Sequence, residues 1–270
     1  GAFIWDPATR QFMDLGDLGG QRVEATGIND ARQVSGSSEA LLFVLDDEGN
    51  FQLTIQDRAF IWDVDNGVRD LGTLGGNFSR GTGINSAGHV VGWSEDSNGS
   101  EKAFIWSDTD GMRPLDGLES ARAMAINEFG QIVGIEWRTD GLGGFDGFIW
   151  DATSGSQQIG GGFWPAAIND LGFVVGGRNS EAVVWSSTSG MERLQDLIPP
   201  ESGWVLVGSS SVNDNGEIVG YGLYQDAWRG YLLTAIPEPG GLILAISAAV
   251  VASSFVDRYR GVLRMSKFTN

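Results

Sequence analysis

Two short acidic stretches, DVDNG and DTDG, hold the residues best suited to binding a metal. The acidic pairs are Asp63 with Asp65, and Asp108 with Asp110. A D-x-D pair followed by glycine is typical of calcium loops, whose ligands are oxygen atoms. The glutamate that closes such a loop at its twelfth position is missing, because Leu74 stands there when the count starts at Asp63. Hairpin turns favour the same residue types, so calcium binding and plain turn chemistry both stay open.

Other catalytic groups are scarce. The chain has no cysteine and one histidine, His89. This excludes thiolate metal sites and cysteine nucleophiles, and we expect His89 to be a surface residue because it has no evident partner. Pairs of carboxylates could cleave glycosides, but an acidic chain offers too many to choose from. The formal net charge of −18 disfavours nucleic acid as a partner.

Repeated phrases organise the chain. The first phrase occurs as GINDARQVSG (27–36), GINSAGHVVG (83–92), AINEFGQIVG (125–134), AINDLGFVVG (167–176) and SVNDNGEIVG (211–220). The second occurs as AFIWD (2–6), AFIWD (59–63), AFIWS (103–107), GFIWD (147–151), AVVWS (182–186) and GYLLT (230–234). A third phrase, D-L-G-x-L-G-G, lies between them. The pieces are short, β-branched or aromatic, and bounded by turn residues, which predicts strands.

We predict an all-β fold, a β-propeller of four-stranded blades with about 44 residues each. Both faces of AFIW are apolar, as expected for a blade lying between two others. Five blades are visible, and GYLLT supplies a strand of a sixth. The chain begins within a phrase at Gly1, which we interpret as an incomplete N-terminus. A parallel β-solenoid is the rival fold, although its coils are usually shorter.

Structural residues recur at fixed places in the repeats. An asparagine is followed by glycine three residues later, which predicts a type I turn. The pairs are Asn85 and Gly88, Asn127 and Gly130, Asn169 and Gly172, and Asn213 and Gly216. In the first copy Arg32 replaces this glycine, so we expect its turn to differ or to be strained. Tryptophans in phase with the strands are expected in the core, at Trp5, Trp62, Trp106, Trp150 and Trp185.

Five further tryptophans are out of phase with the strands and are the better surface candidates for stacking on sugars. They are Trp93, Trp137, Trp164, Trp204 and Trp228, although packing in the core or at an edge is the expected role of each. The first repeat also carries extra residues at 40–54, which suit either a protruding hairpin or a tolerated loop insertion. We favour the loop insertion.

The C-terminal part differs from the repeats. After IPEPG, residues 241–256 are almost wholly apolar, and bases follow at Arg258 and Arg260. This predicts a membrane-spanning helix at 241–256 with its basic end in the cytoplasm. A terminal helix buried against the repeats is the alternative.

The motif Pro237-Glu238-Pro239, the apolar run and the arginines resemble the PEP-CTERM sorting signal of Gram-negative bacteria. The repeats AFIWD, DLGTLGG and GINSAGHVVG resemble the HAF family of extracellular repeats. The resemblance implies domains at 1–236 (repeats) and 237–264 (sorting signal), with a short tail at 265–270. It further implies export, transient anchoring in the inner membrane, and processing by an exosortase-type enzyme. The repeats would then reach the cell surface or a polysaccharide matrix, and the family implies no catalytic activity.

Three functions follow as hypotheses. The leading one is a non-enzymatic binding module for an extracellular polysaccharide or a surface protein, without a cofactor unless calcium binds. The second is a glycan hydrolase or lyase that uses carboxylates in the central channel of a propeller. The third is a structural filler of the matrix.

Overall fold

The computed structural model describes residues 1–45, 48–238 and 241–247. The first twelve strands of this part are β1 Phe3–Asp6, β2 Gln11–Asp14, β3 Gly19–Ile28, β4 Val34–Leu45, β5 Phe51–Asp63, β6 Gly67–Asp70, β7 Gly75–Ile84, β8 Val90–Asp96, β9 Glu101–Ser107, β10 Gly111–Pro114, β11 Ala121–Ile126 and β12 Ile132–Trp137. The others are β13 Phe145–Asp151, β14 Gly155–Gly161, β15 Phe163–Ile168, β16 Val174–Arg178, β17 Glu181–Ser186, β18 Gly190–Arg193, β19 Trp204–Val212, β20 Ile218–Tyr224, β21 Ala227–Glu238 and β22 Gly241–Ser247. Two 3₁₀ helices, Leu194–Leu197 and Pro200–Ser202, separate β18 from β19. The all-β prediction is confirmed.

The strands form one two-stranded and five four-stranded antiparallel sheets, each from consecutive strands. We name them the half sheet (β1–β2) and sheets 1 to 5 (β3–β6, β7–β10, β11–β14, β15–β18 and β19–β22). In sheets 1 to 5 the asparagine phrase forms the first two strands and the A-F-I-W phrase, or its decayed copy, contributes to the third. Each four-stranded sheet is therefore built around one copy of the repeat.

Apolar clusters lie between consecutive sheets. Between sheets 2 and 3, for example, Val91 and Ile105 belong to the same buried cluster as Phe148. On the other face of β9, Phe104 joins a cluster with Ile61 of sheet 1. The strands are thus buried on both faces, as their apolar sequences predict. The described sheets follow one another in a row and form no closed barrel or propeller.

The extra residues of the first repeat form a hairpin. β4 and β5 stay paired from Val34 opposite Trp62 to Leu45 opposite Phe51. The loop insertion that we favoured from the sequence is therefore wrong. Consecutive residues of the two strands pair without a shift in register, which an irregular loop could not do.

The C-terminal apolar run begins as a strand. β22 pairs with β21 from Glu238 opposite Gly241 to Leu232 opposite Ser247. The helix predicted for 241–256 is therefore wrong over 241–247, because the open edge of β21 satisfies the backbone of these residues by strand pairing. Residues 248–256, Pro239, Arg258, Arg260 and the tail 265–270 lie outside the described residues. Within the described ranges, no helix is long and apolar enough to cross a bilayer.

Asp57 links sheets 1 and 2 through two arginines. Arg22 donates to both carboxylate oxygens of Asp57 at 2.8 and 3.0 Å, and Arg80 of the next sheet donates to the same carboxylate. Burial opposes ionisation of this carboxyl group, but the hydrogen bonds from Arg80 and Arg22 outweigh it and lower the pKa of Asp57. Ionised Asp57 therefore stabilises the folded state.

We expect Asp57 to contribute to acid sensitivity. Its stabilising effect is fully present above its unfolded pKa of about 3.9 and is lost as the pH falls through the lower folded value. The free energy of unfolding, measured with urea at pH 7 and at pH 3, should decrease with acid. Asp57→Asn should make that decrease smaller. An unchanged decrease in this variant would assign the acid sensitivity to other carboxyl groups.

Candidate functional site

The five asparagine turns join the first and second strands of sheets 1 to 5. In sheet 2 the Gly88 N–H donates to the Asn85 carbonyl at 3.0 Å, and the Asn85 side chain accepts the His89 N–H at 3.0 Å. Gly88 has φ of 78°. In the first copy Arg32 closes the same turn with φ of 61°. The strain that we expected at Arg32 is therefore present, because a residue other than glycine adopts the left-handed backbone conformation there.

A ladder of asparagine side chains joins these turns from sheet to sheet. Each Nδ2 donates to the carbonyl of the next asparagine, at 2.9, 3.3, 3.1 and 2.9 Å along the chain. The last one, Asn213, donates instead to Glu217 of its own turn at 2.7 Å. The turns therefore lie together at one end of the sheets, which we call the Asn-turn end.

Carboxylates beside this ladder support the backbone. Glu128 accepts the Ser86 N–H of the preceding sheet at 2.9 Å. Asp170 accepts the Glu128 N–H, and Asp214 accepts the Asp170 N–H, each at 2.9 Å. These three acids thus hold adjacent turns in register. These three carboxylates are therefore engaged by backbone N–H groups of neighbouring turns.

The two D-x-D stretches occupy different places in their hairpins. Asp63 accepts the backbone N–H groups of Asp65 and Asn66 at 3.1 and 2.9 Å, whereas in sheet 2 Ser107 takes this role and accepts the Asp110 N–H at 3.1 Å. Burial opposes ionisation of Asp63, but hydrogen bonds from Asn66 and Asp65 lower its pKa.

An arginine lies between the candidate calcium ligands. Arg69 donates to Asp108 at 2.7 Å and lies 3.5 Å from Asp63. A guanidinium that neutralises both carboxylates leaves less negative charge to attract a cation. Among the described residues, no group of three or more metal-ligating side chains could hold a metal ion.

We expect millimolar Ca²⁺ to leave the melting temperature unchanged, because turn bonds and Arg69 already satisfy Asp63. The measurement is thermal melting with CaCl₂ or with NaCl at the same ionic strength. A rise specific to calcium, removed by Asp65→Asn, would contradict this expectation and establish the metal site.

Two cavities open at corresponding places of the Asn-turn end. The Phe129 cavity, about 500 Å³, lies between sheets 2 and 3 and is lined by His89, Ile105, Arg113, Phe129, Gly130, Gln131, Trp150, Asp151, Ala152 and Thr153. The Arg32 cavity, about 450 Å³, lies mainly between the half sheet and sheet 1 and includes Met13, Ala31, Arg32, Trp62 and Arg69. Each has a repeat tryptophan and an asparagine turn in its wall.

Two polar side chains in the wall of the Phe129 cavity have no hydrogen-bond partner among the described residues, as is also true of Arg69 Nε in the wall of the Arg32 cavity. Trp150 is only 7% exposed, and its indole N–H has no hydrogen-bond partner in the described part of the chain. The side chain of Arg113 is exposed and makes no hydrogen bond or ion pair with any described residue. Phe129 is 74% exposed at the rim. In the Arg32 cavity the arginines are paired, Arg32 with Asp6 and Arg69 with Asp63 and Asp108.

The tryptophans divide differently from the sequence prediction. Trp62, Trp106, Trp150 and Trp185 are buried as predicted, but Trp5 is 46% exposed because no sheet covers the outer face of the half sheet. Among the candidates for the surface, Trp164 and Trp228 are exposed, and Trp93 and Trp137 are half-buried. Trp204 is buried, and its ring packs against Tyr224 and Tyr231.

The repeat pattern alone did not point to Phe129, Arg113 or the unpaired indole of Trp150. A comparison of the repeats position by position contains a signal for the first, since Phe129 stands where the other turns carry alanine, leucine or asparagine. Whether Arg113 and the Trp150 indole have hydrogen-bond partners, in contrast, depends on contacts between sheets, which the sequence of a single repeat does not show.

Comparisons with known proteins leave the family open. No model of a known protein family matches the chain, and no curated protein matches it. The function is therefore argued from the chemistry of the Asn-turn end.

Proposed function

We propose that the protein is an exported, non-enzymatic binding module of the cell surface or extracellular matrix, and that its Asn-turn end binds a glycan. The observation that carries this proposal is the Phe129 cavity, in which the exposed ring of Phe129 lies beside the unpaired side chain of Arg113 and the carboxylate of Asp151. Concave sites that combine an apolar wall with a few convergent polar groups are typical of small-ligand binding.

The carboxylates at this end support binding over hydrolysis. Glycoside cleavage requires two carboxyl groups at a defined separation, one of which stays protonated as the acid. Backbone hydrogen bonds from Ser154 and Thr153 lower the pKa of Asp151, the carboxyl group in the cavity wall. Asp151 is therefore ionised near neutral pH and is suited to accept hydrogen bonds from the hydroxyl groups of a sugar.

The test separates binding from cleavage. The full chain, kept in mild detergent, is run by affinity electrophoresis in gels that contain dextran, laminarin or alginate. Each polysaccharide is then incubated with the protein and assayed for new reducing ends and for unsaturated products. Retardation without new ends is the expected result. Release of either product would favour the hydrolase or lyase hypothesis, and absence of retardation in all gels would contradict glycan binding.

We also propose that sheets 1 to 5 are blades of a β-propeller. Apolar residues are exposed at both ends of the row: Phe3, Trp5 and Phe12 on the half sheet, and Val219, Tyr221 and Trp228 on sheet 5. If the row closed into a ring, these two exposed faces would pack against each other, as the facing sides of consecutive sheets already do.

The chain has no cysteine, so a disulfide can test closure directly. Phe12→Cys and Trp228→Cys are combined in one chain, which is then oxidised. A cross-linked monomer supports closure, and a cross-linked dimer or no cross-link contradicts it.

The sorting proposal depends on the resemblance of the C-terminal motif to PEP-CTERM signals. Pro237 and Glu238 are the last two residues of β21. We propose that an exosortase-type enzyme removes the tail near this motif and releases the repeats from the membrane. Expression with and without such an enzyme, followed by intact-mass measurement, should show a shortened chain only with the enzyme. Equal masses would contradict the proposal.

A further inference from the structure

We propose that the Phe129 cavity takes one neutral sugar residue of a polysaccharide, a specificity that rests on the proposed function. The cavity lies between sheets 2 and 3. Sheet 2 supplies Arg113, and sheet 3 supplies Phe129 and Trp150. Neither D-x-D stretch nor any out-of-phase tryptophan belongs to it.

The ion pair that joins sheets 1 and 2 at this level is missing beside the Phe129 cavity. Arg69 and Arg113 hold the same place in the fourth strands of sheets 1 and 2. Arg69 reaches across to Asp108, two residues beyond the tryptophan of the next sheet, at 2.7 Å. The corresponding residue facing Arg113 is Ala152. Arg113 therefore has no carboxylate partner across this interface, and its guanidinium is left to bind a ligand.

Phe129 gives the cavity an aromatic rim. It lies two residues after Asn127, where the turn beside the Arg32 cavity has Ala31. With 74% of its surface exposed, Phe129 adds little to the core but offers a flat apolar face. The C–H face of a pyranose is also apolar and flat. The sugar can therefore stack on the phenyl ring of Phe129 while its own hydroxyl groups point into the cavity.

The polar groups match hydroxyl groups, which both donate and accept. The Arg113 guanidinium is a donor, and the Asp151 carboxylate is an acceptor. Gln131 adds an amide, whose oxygen is held by Asn127 at 2.9 Å. This mixture of donors and an acceptor suits a neutral sugar better than a carboxylated one. The formal charge of −18 further repels polyanionic chains at long range.

Two variants of the full chain test the site. Phe129→Ala removes the rim, and Ala152→Asp restores the carboxylate that would pair with Arg113 and withdraw its guanidinium from the ligand. Leu171→Ala is the matched control, since Leu171 is exposed at the same place of the next turn but does not line the cavity. Dissociation constants for laminarin, dextran and alginate are measured by affinity electrophoresis at 150 mM NaCl, and thermal melting verifies folding.

The expected result is binding to laminarin or dextran, weakened about tenfold by Phe129→Ala and at least as much by Ala152→Asp. Leu171→Ala should bind like the unchanged protein, and all three variants should melt as it does. Neutral glycan binding that neither cavity variant weakens overturns this site but leaves the proposed function standing. Binding to alginate alone overturns the neutral specificity. Absence of binding to all three glycans contradicts the proposed function itself.

Discussion

Gly134→Ala is expected to lower the free energy of unfolding by about 3 kcal/mol, at the upper end of overpacking effects. Gly134 ends the V-V-G-type phrase of sheet 3 and has ordinary backbone angles, so the effect is steric. A Cβ there would contact the Arg122 carbonyl of β11 and lie 2.6 Å from Cζ of Phe148. Both neighbours are fixed, the carbonyl by strand pairing and Phe148 by full burial. Urea denaturation monitored by tryptophan fluorescence measures the change.

Gly177→Ala is the matched control for Gly134→Ala. Gly177 lies in β16, and a Cβ at this position would meet no atom within 4 Å. We expect no loss of stability, or a gain of up to about 1 kcal/mol, because alanine restricts the unfolded chain more than glycine does. Equal destabilisation by both substitutions would show that intrinsic strand preference, and not the close approach at Gly134, causes the effect.

Asn127→Ala is expected to cost about 3 kcal/mol, because it removes hydrogen bonds to buried backbone groups. The Asn127 side chain accepts the N–H groups of Phe129 and Gln131 at 3.1 and 2.9 Å, and donates to the Asn169 carbonyl at 3.1 Å. It is only 4% exposed, so water replaces these bonds poorly. The free energy of unfolding in urea is again the measurement.

Asn213→Ala tests whether the link between sheets matters. Asn213 accepts the same two types of backbone N–H, from Asn215 and Glu217, but it is exposed and donates within its own turn. We expect a loss of about 1 kcal/mol, because solvent can replace the lost bonds. A loss as large as that of Asn127→Ala would assign the effect to the turn alone and would contradict the role of the ladder.

Local structure follows closely from the repeats. The turn from Asn85 to Gly88 and the strands around it depend on residues near in sequence, and they form as predicted. The C-terminal run shows the limit, since hydropathy alone does not separate a membrane helix from a strand that completes a sheet. The first residues of the run pair with β21, an outcome decided by an open edge in the folded molecule.

The candidate site was less predictable than the fold. The unpaired Arg113 in its wall depends on Ala152 standing where Asp108 pairs with Arg69 in the neighbouring pair of sheets. That difference has meaning only when the sheets in contact are known. The exposure of Trp5 is similar, because the same A-F-I-W phrase is buried or exposed according to what covers it.

The row arrangement has a consequence for how the molecule opens. Because each apolar cluster joins only consecutive sheets, stability is approximately a sum of contributions from neighbouring pairs. An outer sheet of an open row has one such neighbour, whereas sheet 3 has two. Opening should then proceed inward from the ends, with amide hydrogen exchange slowest in β12 and β13. Closure of the row would remove this gradient, so the exchange pattern itself would report whether the two ends meet.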